Sequence, residues 1–143
     1  MKKLALVAFG LVAAALPLGG CAPASEIQAT LGRTFDVPIH REAIIPSENL
    51  SLTFREVSKD SRCPRGVQCV TAGEAVFSIR FTQGSAAAIV TFTGLDAGQA
   101  TATFLDYSVN ATLLPYPEQA GGIPPEEYRV QMTVTRMTAA PVG

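Results

Sequence analysis

From residue 34 onward, apolar side chains recur at every second position in short runs, and glycine, proline or small polar residues end each run. A period of two is the pattern of strands with one buried face. Phe35, Val37 and Ile39 form the first set, but Pro38 lacks an N–H and confines that run to a sheet edge. Ile44 and Ile45 extend it past a bend at His40 and Arg41, and Pro46 stops it. Leu50, Leu52 and Phe54 alternate with polar residues, as do Ala75, Phe77, Ile79 and Phe81. Gln83-Gly84-Ser85 reads as a hairpin turn into a strand with Ala88, Val90 and Phe92 on one side, and residues 94–98 read as a second turn. A short strand over 101–105, the set Tyr107, Val109, Ala111 and Leu113, and the set Tyr128, Val130, Met132 and Val134 complete the series. Residues 114–125 form a loop rich in proline and glycine. No helical period of useful length interrupts these runs. Seven or so short strands predict an all-β fold: an antiparallel β-sandwich of immunoglobulin-like architecture, with a small β-barrel as the alternative.

The first twenty residues are of another kind. Lys2 and Lys3 precede an apolar run over 4–18, shorter than the ~20 residues a spanning helix needs. The run closes on Leu18-Gly19-Gly20-Cys21, which resembles the lipobox of bacterial lipoproteins. The rival readings are an uncleaved anchor and a plain secretory signal. The resemblance implies cleavage before Cys21, a diacylglycerol thioether on Cys21 and, in many bacteria, a third acyl chain on its amine. Each buried methylene contributes ~0.8 kcal/mol, and two or three chains make a lasting tether to the membrane. Ala22 in place of an aspartate points to the outer membrane of a cell that has one. The expected organisation is a signal peptide over 1–20, a lipidated tether over 21–32, one β-domain over 33–138 and a tail over 139–143.

Removing 1–20 leaves 123 residues, a common size for one domain. It takes away two lysines and no acid, so nine basic and 12 acidic residues remain and the mature charge is −3. A mildly acidic chain without a basic stripe is a poor nucleic-acid binder.

Of three cysteines, Cys21 is assigned to lipid, which leaves Cys63 and Cys69 as a pair in an oxidising envelope. Pro64 and Gly66 favour the tight turn that a disulfide between them requires. A redox pair more typically reads Cys-x-x-Cys, and a zinc site wants four ligands, for which the sole histidine, His40, has no evident companions. The predicted bridge joins successive strands, unlike the inter-sheet bridge of antibody domains, and the chain has no tryptophan to pack against such a bridge.

Residues 54–75, FREVSKDSRCPRGVQCVTAGEA, resemble a signature of uncharacterised bacterial exported proteins and lipoproteins: Asp-Ser-Arg-Cys-Pro, a short loop, Cys, then Ala-Gly before the next strand. Residues 113–134, LLPYPEQAGGIPPEEYRVQMTV, are similar to the close of those proteins. Many of them carry an aromatic residue, usually tryptophan, where this chain has Thr71. The resemblance supports the fold and the disulfide and implies no particular activity.

Four residues stand out as candidates for recognition. Asp60 and Arg62 flank Ser61 ahead of Cys63; they can present a surface, or Asp60 can join Glu56 or Glu74 around a cation. Equally, Asp60 and Ser61 can cap loop N–H groups while Arg62 pairs with Asp60 or Glu74. Arg65, at the tip of the 63–69 loop, can enter a hydrolase cleft as an inhibitor would, or stay solvated. Tyr116, between Pro115 and Pro117, can stack on a glycan or meet a protein partner, or its loop can equally be a stiff connection between sheets. Asn110-Ala111-Thr112 matches a glycosylation sequon by chance. No catalytic set emerges: His40 lacks a triad, Ser61 lacks the Gly-x-Ser-x-Gly elbow, and Glu126 and Glu127 would point to opposite faces of a strand. The EF-hand spacing is absent, and no metal or cofactor is expected. The expectation is a non-enzymatic binding or scaffolding module of the cell envelope with a protein or glycan partner; the alternative is a hydrolase inhibitor acting through the 63–69 loop.

Overall fold

The computed structural model describes residues 26–138, so the signal segment, Cys21 and the tail over 139–143 lie outside the described residues. Nine strands follow in chain order: β1 (Ile27–Gln28), β2 (Thr34–Pro38), β3 (Glu42–Ile45), β4 (Leu50–Asp60), β5 (Glu74–Gln83), β6 (Ala86–Leu95), β7 (Gln99–Phe104), β8 (Tyr107–Leu114) and β9 (Arg129–Arg136). Two 3₁₀ turns, Pro46–Glu48 and Pro125–Glu127, complete the elements. The fold is all-β, and the strands form one sheet in the order β1-β3-β4-β5-β6-β7-β8-β9-β2. Every pair is antiparallel except the short β1–β3 pair, which is parallel.

The sheet wraps nearly around on itself. β6 and β7 pair only at Leu95↔Gln99, beside their turn, so the sheet opens there into two facing layers. At the far side the β2–β3 turn bridges the layers: Ile39 N–H donates to the Tyr128 carbonyl, next to β9, at 2.9 Å, and His40 N–H to the Phe54 carbonyl of β4 at 2.8 Å. A flattened barrel of this kind fits both the sandwich and the small-barrel expectation.

The alternation read from sequence sets the core. Leu50, Leu52, Phe54, Ala75, Phe77, Ile79, Phe81, Tyr107, Val109, Ala111, Leu113, Val130, Met132 and Val134 are all buried. Phe77 stacks on Phe92 at 5.3 Å, and Phe81 on Phe104 at 5.2 Å, which couples β5 to strands on either side of the opening. His40, with φ of 62°, makes the bend between β2 and β3, and β2 is an edge strand as Pro38 requires.

Several expectations need correction. The tether does not extend to 32: Ile27–Gln28 pair with β3, and Ala29 is buried in the core. Two residues are too few to display a period, so this strand exists only through its partner. Ala88 is exposed and Val90 half-buried, because β6 lies at the opening and lacks a covering layer over much of its length. Glu126 and Glu127 sit in the second 3₁₀ turn instead of a strand. Past Phe54 the inward-outward rhythm of β4 breaks, with register shifts at Phe54/Glu56 and Val57/Lys59; bulges there bend the strand toward the end that carries the cystine loop.

Candidate functional site

All four recognition candidates meet at one end of the barrel. β4 delivers Asp60 and the following loop, and β8 runs out into residues 115–124 beside it. Arg62 joins the two. Its Nε donates to Asp60 Oδ1 at 2.8 Å and its Nη2 to Asp60 Oδ2 at 2.7 Å, a two-pronged pair. The same guanidinium reaches across to the carbonyls of Leu113 at 2.8 Å and Pro115 at 3.0 Å. The Arg62 side chain is 0% exposed and that of Asp60 only 9%. Arg62 therefore offers no recognition surface; it takes the pairing role with Asp60 that the sequence also allowed.

Asp60 is saturated. It accepts the Arg62 backbone N–H at 3.2 Å and the Tyr128 hydroxyl at 3.0 Å in addition to the guanidinium. Burial by itself raises the Asp60 carboxyl, but the bonds and charge of Arg62, helped by Tyr128, hold it below the usual carboxylate range. The Tyr128 phenol is pushed up to about 12, first by burial and then by its bond to the Asp60 carboxylate. Ser61 caps as expected: its Oγ accepts Glu74 N–H at 3.2 Å, and its own N–H reaches Glu74 carbonyl at 2.9 Å. Glu74 in turn binds Lys59 at 2.6 Å, so Asp60 and Glu74 do not converge on a cation. Among the described residues, no group of three His, Cys, Asp or Glu side chains could hold a metal ion.

The cystine loop is built onto this base. Cys63 and Cys69 are bonded, with Cα atoms 6.0 Å apart. Arg65 N–H donates to Pro117 carbonyl at 3.1 Å, and the Tyr116 hydroxyl donates to Cys63 carbonyl at 2.7 Å. Arg62 and Arg65 both lie over the Tyr116 ring, at 5.6 and 5.3 Å from its centroid. Arg65 also pairs with Glu118 at 3.1 Å, both side chains remaining about two-thirds exposed. Tyr116 is thus half-buried and partly covered by guanidinium groups, not an open stacking platform. The two loops form one knob. On its outer side Val67 is 47% exposed and Val70 102%. Beneath it lie two adjoining hollows of about 210 and 450 Å³ that share Gln119, Gly122 and Ile123.

Two contributors escaped the sequence reading. The Tyr128 hydroxyl looked like a core strand residue. Gly73 of the Ala-Gly pair packs so tightly on the Asp-Ser-Arg run that a Cβ there would lie 1.7 Å from the Ser61 carbonyl oxygen. No local pattern marked either: a tyrosine at the start of an alternating run and a lone glycine before a strand are common in any sheet. At the opposite end a second network also went unread: the buried Tyr107 hydroxyl donates to Glu48 at 2.7 Å and accepts from Gln83 at 2.8 Å and Arg136 at 3.1 Å. Arg136 pairs with Glu48 and, at 3.0 Å, with Asp106. The Tyr107 and Arg136 bonds hold the Glu48 carboxyl below its ordinary range. Its members bond to one another across β5, β8 and β9 and tie that end of the barrel together.

Fold and site together define a small all-β domain that carries a disulfide-crossed knob on a buried arginine clamp. Comparison with known protein families, curated proteins and solved structures returns no match.

Proposed function

We propose that this chain is a bacterial lipoprotein, anchored through Cys21, whose domain is a non-enzymatic binding or scaffolding module of the cell envelope. The outer membrane is the favoured site in a cell that has one. The reading rests on the Leu18-Gly19-Gly20-Cys21 motif for anchoring and on the preorganised knob for binding. Val67 stands exposed with Arg65 in a loop held by a disulfide, a backbone bond to Pro117 and the Tyr116 hydroxyl, and Val70 is exposed directly after the second cysteine. A surface with so little freedom to lose binds at reduced entropic cost, and its mix of valine, arginine and tyrosine suits a protein partner.

In vivo crosslinking and pull-down of the lipidated protein, beside Arg65→Ala, tests this. A specific envelope partner lost in the variant supports it; a partner retained in the variant moves recognition off the loop, and no partner at all removes the reading. Cys21→Ser should release the chain from membranes, and continued detergent-only extraction would remove the lipid anchor. The second reading, a hydrolase inhibitor, draws on Arg65 at the loop tip. Its ion pair with Glu118 is exposed and weak, so a cleft could take the arginine. Unchanged rates for trypsin-like proteases and lysozymes would dismiss it.

A further inference from the structure

We propose that the free edge of β6 docks a second copy of this chain, β6 against β6 in antiparallel register across a two-fold axis, so that two barrels share one continuous sheet. β6 pairs with β5 along its whole length but meets β7 only at Leu95↔Gln99. Gln83 and Ala86 flank a two-residue turn and bond to each other, and the Asp96 N–H bond to the Gly73 carbonyl at 2.9 Å keeps the same alternation at the far end. Ala88, Val90 and Phe92 therefore direct their backbone groups to β5, while Ala87, Ile89 and Thr91 aim theirs outward. Another extended strand is what meets such a row at matching spacing. Natural edges are blunted by shortness, charge, proline or bulges. β1 is two residues long, and β2 carries Asp36 and Pro38. Residues 86–93, AAAIVTFT, use none of these devices. The edge is also its own complement. Centred on Ile89, a two-fold opposes Ala87 to Thr91 and Ala88 to Val90, with about six new backbone bonds. An axis normal to the sheet keeps both inner faces on one side. Ala88, exposed in the single barrel, and half-buried Val90 then cover each other from opposite copies. β7, across the opening, has less to gain, since its inward Ala100 and Phe104 are already buried. Charge does not oppose the pairing: Arg80, opposite Ile89 on β5, would lie three strand spacings, about 14 Å, from its copy, beyond the ~8 Å screening length.

Register makes the test specific. Across the axis Ile89 meets its own copy at about 5.5 Å between Cα atoms, inside the disulfide window of roughly 4.4–6.8 Å. Ala87 and Thr91 each lie about 13 Å along the strand from their own copies, and opposite one another. Ile89→Cys, Ala87→Cys and Thr91→Cys are made singly in the full-length chain, matched to the parent in melting curve, and oxidised in intact cells. The expected result is a reducible homodimer several-fold above the parent's level in Ile89→Cys and no rise in either other variant alone. Co-expressing Ala87→Cys with Thr91→Cys should restore the dimer. Equal bands from all three single variants, or no band from Ile89→Cys, overturn the pairing. A band joining Ile89→Cys to a different protein also overturns it and gives the edge to a foreign strand. Ile89→Lys sets two ammonium groups against each other at the axis. Sedimentation in mild detergent should show a concentration-dependent dimer for the parent and a monomer for this variant; a monomeric parent, or a dimer indifferent to the lysine, refutes the proposal.

Discussion

Replacing Arg62 by methionine keeps most of its packing volume and removes its charge and donors. The Asp60 carboxylate, 9% exposed, would keep only Tyr128 and one backbone N–H, and the carbonyls of Leu113 and Pro115 would lose their shared donor. Breaking one side of a buried pair costs about 3–5 kcal/mol. Because the guanidinium is 0% exposed, solvent screens little of that. The loss is a large share of the roughly 5–15 kcal/mol that holds a domain folded. The pH dependence is specific. In the parent, Asp60 lies below its ordinary range, so its contribution is present above the unfolded value of ~3.9 and is lost as pH falls through the folded one. In Arg62→Met, burial is left without its chief opponent and raises the carboxyl, so protonation relieves the variant. Urea unfolding should therefore show a gap that is widest near about pH 7 and narrows below about pH 5. A gap under about 1 kcal/mol, the scale of an exposed pair, or one independent of pH, would refute the reasoning. Adding Asp60→Asn to Arg62→Met should recover part of the loss, because the carboxylate that needed the guanidinium is then gone.

The Cys63→Ser/Cys69→Ser pair should lower stability by about 2.5 kcal/mol in the chain-entropy model, read as a fall in Tm; an unchanged Tm would contradict the structural role of the bridge. Gly73→Ala places a methyl against the Ser61 backbone and should cost about 3 kcal/mol or more, with soluble yield and urea midpoint as readouts, whereas a midpoint equal to the parent's would show that the loop can move aside. Tyr128, at about 12, favours the neutral form in the folded protein. Its contribution is present below the ordinary phenol value of ~10 and lost as pH rises toward the folded one, so Tyr128→Phe should flatten the alkaline stability curve of the parent. Identical slopes for the two proteins would dispose of that coupling.

Strand alternation was legible because one buried face imposes a period of two on any sequence that supplies it. Phe77, Ile79 and Phe81 on β5, or Val130, Met132 and Val134 on β9, declare their inward face without reference to any partner. Pro38 marked an edge, Pro46 a stop, and Cys63 and Cys69 a bridge, each through local chemistry. Where the local signal was short or broken, the reading failed: β1 is two residues long, and the β4 bulges erase the rhythm beyond Phe54. The site divides in the same way. The sequence by itself marked Asp60, Arg62, Arg65 and Tyr116 as residues of note and determined the capping role open to Ser61. Only the tertiary structure decided that Arg62 is a buried clamp and that Tyr116 and Arg65 belong to one knob. Residues 51 to 53 positions apart supply those contacts, and no local pattern encodes the distance between segments that the folded sheet alone brings together.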